Sequence, residues 1–130
     1  MFVRIVQAII GIAGLGALTL GLLYWIFQID LVNWHMLFGL TVALGLLILA
    51  VVALLTGGLR GLGAVSLIYA LIVPVFGLTQ ATLLPGDWHW LIRVAHLLVG
   101  LGALALMGTI TRRYLSLKAA ENRQESSQVS

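Results

Sequence analysis

An all-α membrane protein, with four transmembrane helices in an up-down bundle, is what three features of this sequence predict. Only 8% of the 130 residues are charged, against about a quarter in soluble domains, while 62% are hydrophobic and the mean hydropathy is +1.14. The apolar residues fall into four runs, each reaching the roughly 20 residues needed to cross a hydrocarbon core of about 30 Å. Short polar punctuation at residues 28–33, 57–58 and 83–87 separates them.

The first span is expected over about residues 3–27. It follows Arg4 as a secretory leader would, but it runs on to Phe27 without a small-residue cleavage site, so it reads as a retained span. Ala13, Ala17 and Gly21, with Gly14 and Gly16 beside them, make a small-residue face on which another helix can approach closely. Asp30 or Asn33 can cap the second span, over about 34–56, on which His35, Gly39 and Ala43 share one face. Gly57 and Gly58 end it, glycine being suited to the left-handed conformation at a helix C-terminus.

The turn there is so short that the third span, about 60–82, must lie antiparallel beside the second. Pro74 removes one of its internal hydrogen bonds and predicts a kink. Asp87 is a candidate cap for the fourth span, about 88–114, where Gly100, Ala103 and Met107 fall below His96. Residues 1–117 form the bundle, and residues 118–130, rich in Gln, Ser and charge, read as a disordered cytoplasmic tail. Residues 1–58 and 59–115 each pair a small-residue span with a Trp-His-bearing helix, which suggests a repeated helical hairpin.

Six of the seven basic residues lie on the side of both termini and the second turn, whereas the first and third turns carry Asp30 and Asp87 and no Lys or Arg. By the positive-inside rule both termini are cytoplasmic, in what would be a bacterial inner (plasma) membrane. Trp25, Trp34, Trp88 and Trp90 then collect at the opposite interface, where indoles prefer to sit. Basic residues distributed in this way are topology signals and do not imply nucleic acid as a partner.

Ionisable groups inside a span call for a function, and His35, Arg93 and His96 are such groups. His35-x-x-x-Gly39-Leu40 recurs as His96-x-x-x-Gly100-Leu101, on helices that run parallel. A b-type haem in a membrane bundle needs two imidazoles from different helices, space for a flat macrocycle and a cation for its propionates. His35 and His96 are the candidate metal ligands, Gly39 and Gly100 leave room, and Arg93 can meet a propionate. Trp34 and His89 can add hydrogen bonds. Measured from Asp30 and Asp87, the depths of the two ligands differ by about one turn, which keeps His89 in view as a competing ligand. With no Cys, a c-type attachment is excluded and a haem would be held non-covalently; three histidines support one haem and not two bis-imidazole sites.

In its four spans and its two His-x-x-x-Gly-Leu motifs, His35 to Leu40 and His96 to Leu101, the chain resembles the small four-helix b-type cytochromes of membranes, with a cytochrome b561-like architecture. The resemblance implies one haem b, electron transfer near the outer face, and work as a subunit or redox partner of a larger membrane complex. An electron carrier or accessory subunit fits better than a stand-alone enzyme.

Blander readings stand beside this one. His89 can be a polar rim residue, and Arg93 can extend to the headgroups or meet Asp30 or Asp87. His96 can hydrogen-bond Gln28, Thr79 or Gln80, and the glycine and alanine stripes can serve packing or an oligomer. The whole chain can therefore be a cofactor-free accessory or assembly subunit. A pigment-binding protein is a smaller alternative, because Leu31 and Ile92 stand where light-harvesting helices place Ala four residues before His. Ion transport and hydrolysis are poorly supported, since no acid lies at mid-membrane.

Overall fold

In the computed structural model, which describes residues 1–129, the chain forms four α-helices: α1 (Phe2–Phe27), α2 (Val32–Leu55), α3 (Arg60–Thr79) and α4 (His89–Val129). A 3-10 turn, Gln80–Thr82, extends α3. All four are long and apolar enough to cross a membrane. There are no strands among the described residues.

The turns follow from local chemistry. Gln28 ends α1 in the left-handed conformation (φ 55°), with its N–H donating to the Tyr24 carbonyl. Its side-chain amide donates to the carbonyls of Tyr24 and Trp25. Asp30 accepts a long hydrogen bond of 3.4 Å from the Val32 N–H, while the cap position itself falls on Leu31 and Asn33 lies inside the helix. Gly58, at φ 81°, makes the tight α2–α3 turn that the double glycine predicts. The third helix runs on through Pro74 to Thr79.

α2 packs against each of the other helices, and α4 likewise touches α1, α2 and α3. α1 and α3 do not meet, so α2 and α4 form the short diagonal of the bundle. Closest approach comes where α3 crosses α2: a Cβ on Gly63 would lie 2.6 Å from the Leu54 nitrogen and 2.9 Å from the Ala50 carbonyl oxygen. The small face of α1 is used as its pattern predicts, with Leu104 of α4 over Gly14 and Phe38 of α2 over Gly16.

The core is confined to one half. Val3, Ile10 and Ala13 of α1, Leu46, Leu49 and Ala53 of α2, Ala70 of α3, and Ala103, Met107 and Ile110 of α4 are buried together. All lie towards the end that bears Met1 and the α2–α3 turn, here called the terminal half. In the opposite, tryptophan half, no residue of 15–41 or 71–102 is fully buried.

The polar end of α4 corrects one expectation. Residues 118–129, read as disordered, continue the helix to Val129, and Ser130 lies outside the described residues. Ala119, Ala120, Glu121, Arg123, Gln124 and Glu125 are good helix formers. Lys118 also donates to Glu121 at 2.7 Å across one turn. Polarity is not the same as lack of helix propensity.

A candidate haem site in the tryptophan half

His35 is the fourth residue of α2 and His96 the eighth of α4. That offset in position is absorbed by the bundle, since the two rings meet with centroids 5.8 Å apart and planes inclined at 54°. α4 starts further out than α2 by about the turn in question. The two histidines are therefore brought together across the short diagonal.

Each ring also leans on a different neighbour. His35 Nδ1 lies 2.8 Å from the Ala17 carbonyl oxygen of α1, so Nδ1 carries the proton that is donated and Nε2 keeps its lone pair. A Cβ on Gly21 would lie only 3.1 Å from His35 Cε1, which is why α1 needs its small residue there. His96 stands against α3, 6.0 Å between centroids from Phe76, and a Cβ on Gly77 would lie 3.5 Å from its Cε1. All four helices thus contribute to one layer: Ala17 and Gly21, His35, Phe76 and Gly77, and His96.

His96 Nδ1 is buried and has no hydrogen-bond partner. Two of the polar residues that might have answered it are engaged elsewhere. Gln28 bonds its own helix, and the Thr79 hydroxyl donates to the Val75 carbonyl at 2.8 Å. The half-buried Arg93, three residues before His96, makes no ion pair with Asp30 or Asp87; among the described residues the only ion pair is Lys118–Glu121. A buried polar atom without a partner costs about 1–3 kcal/mol.

The other predicted residues divide. His89 is tied to the α3–α4 turn through Nδ1, 3.1 Å from the Leu83 carbonyl oxygen, as a rim residue would be. Trp34 is 59% exposed, which turns it away from the histidine layer. Gly39 and Gly100 face open space, with nothing within 4 Å of a Cβ placed on either. No neighbouring helix therefore approaches either glycine. Gly21, Gly77 and Phe76 carry no motif linking them to the histidines, and only the small-residue face of α1 points to the first of them.

The donor set narrows the chemistry. Among the described residues no three of His, Cys, Asp and Glu gather as a metal-binding group, so a zinc site with three protein ligands has no place. Two imidazoles suit a metal whose remaining positions are filled by a macrocycle. The 5.8 Å between ring centroids is of the order that two imidazoles sharing one metal would need, and the buried His96 Nδ1 has no other partner. No protein-family model matches the chain, and no curated protein and no solved structure matches it either.

Proposed function

We propose that the chain is a b-type haem-binding integral membrane protein that passes electrons near its tryptophan end, as a subunit or partner of a larger redox complex. One observation carries the reading: two imidazoles from α2 and α4, 5.8 Å apart, stand in the half of the bundle that has no closed core. In this reading the membrane is a bacterial inner membrane and both termini are cytoplasmic, the orientation being supported by the basic and tryptophan residues.

Haem b supplies a reversible one-electron change at its iron. The protein's part is to hold and tune it. His35 and His96 would hold the iron, and the Ala17 carbonyl fixes the orientation and tautomer of His35, which would raise its basicity as a ligand. The unpartnered His96 Nδ1 makes that ligand the less firmly oriented of the two. Arg93 is free to pair with a propionate, and Gly39 and Gly100 leave clearance along the macrocycle. The half-buried setting of both histidines among four helices would limit water at the group they hold.

The test is an absorption spectrum of the full chain, purified after expression with ample haem, oxidised and then reduced with dithionite. A Soret band with the sharp reduced bands of low-spin haem b is expected. Its absence would leave the cofactor-free accessory subunit as the function.

A further inference from the structure

At the terminal end, three helices carry four arginines. Arg4 follows Val3 on α1, Arg60 follows Leu59 at the start of α3, and Arg112 and Arg113 follow Ile110 and Thr111 on α4; Val3, Leu59 and Ile110 belong to a single buried cluster. All four arginines are exposed. None has an acidic partner, because the only ion pair among the described residues is Lys118–Glu121. Asp30 and Asp87 lie at the other end of the bundle, and Glu125 lies beyond Glu121 on the projecting part of α4.

We propose that this arginine collar binds the phosphates of anionic lipid headgroups. A guanidinium presents a planar fork that matches phosphate, and each basic residue near an anionic leaflet strengthens binding measurably. Phe2, Ile5 and Leu55, large apolar side chains exposed at the same end, supply a surface for acyl chains, which selects a lipid over free phosphate. The inference rests on the membrane-spanning reading of the helices and is independent of the haem.

The full chain in neutral detergent, titrated with phosphatidylglycerol or phosphatidylcholine and weighed with its bound lipid by native mass spectrometry, tests it. Phosphatidylglycerol should be retained preferentially, and its binding should fall about fivefold for each of Arg60→Gln, Arg112→Gln and Arg113→Gln. Arg123→Gln removes the same charge outside the collar and should change little, and helicity by circular dichroism should be unaltered throughout. Equal retention of the two lipids, or an equal loss in Arg123→Gln, would overturn the proposal.

Discussion

The two halves of this bundle are built to different specifications. In the terminal half, Leu46, Leu49, Ala50, Ala53 and Ile110 are wholly buried, and backbones touch at Gly63. In the tryptophan half the glycines of the His-x-x-x-Gly motifs face nothing, and contact between helices there includes two hydrogen bonds, His35 Nδ1–H to the Ala17 carbonyl and the Tyr69 hydroxyl to the Val99 carbonyl at 3.0 Å. In lipid, helices associate through close van der Waals packing and interhelical hydrogen bonds. Van der Waals packing is therefore tightest in the terminal half, and the other half is the less buried of the two. A protein packed tightly throughout would have no room for a cofactor, and one packed loosely throughout would not hold two imidazoles in register.

The sharpest way to break this contrast is to truncate matched leucines of α2. Leu49→Ala, at 0% exposure, should cost about 2–5 kcal/mol, whereas Leu37→Ala, at 54% exposure in the tryptophan half, should stay within about 0.5 kcal/mol. Unfolding in detergent followed by circular dichroism reads both. Equal losses would mean that the two halves are equally packed.

Glycines sharpen the same comparison. Gly63→Ala forces α3 away from the α2 backbone and should cost about 1–3 kcal/mol. Gly39→Ala meets nothing and should stabilise α2 by about 0.5–1 kcal/mol through its backbone entropy. Gly100→Leu, which also meets nothing, should not lower the stability of the haem-free chain but should lower haem content, measured by pyridine haemochrome. A fall in haem-free stability would place a helix where open space is described.

The smallest effect concerns the buried hydroxyl of Thr111, 1% exposed and without a hydrogen-bond partner. Thr111→Val keeps the shape and removes an unsatisfied group, so it should be neutral or stabilising by up to about 1 kcal/mol. A clear loss of stability in the same detergent assay would reveal a partner for that hydroxyl.

Much of the fold was legible because lipid imposes it. Hydropathy and length mark the spans, and Gly57 and Gly58 mark a turn that Gly58 makes at positive φ. The repeated His-x-x-x-Gly-Leu pattern singled out the two histidines that the bundle brings together. What it could not give is which neighbour each ring leans on. Ala17, Gly21, Phe76 and Gly77 join the layer through helix rotation and depth, which apolar sequence with no polar face does not encode. Gly100 illustrates the limit from the other side: a glycine one turn below His96 looks like a contact site, yet here it borders open space. The tail departs from expectation for a different reason: its hydropathy is low, yet its Ala, Glu and Gln favour helix.

The central claim, that the loosely packed half holds one haem between His35 and His96, is tested most directly by the spectra of single and double histidine variants. His35→Ala and His96→Ala should each convert the low-spin spectrum of the full chain to a high-spin one with an open coordination position, and the double variant should purify without haem. His89→Ala should keep the low-spin spectrum. A low-spin spectrum that survives His35→Ala and is lost in His89→Ala would contradict the assignment of the ligands, and a Soret band that persists in the double variant would contradict the site itself.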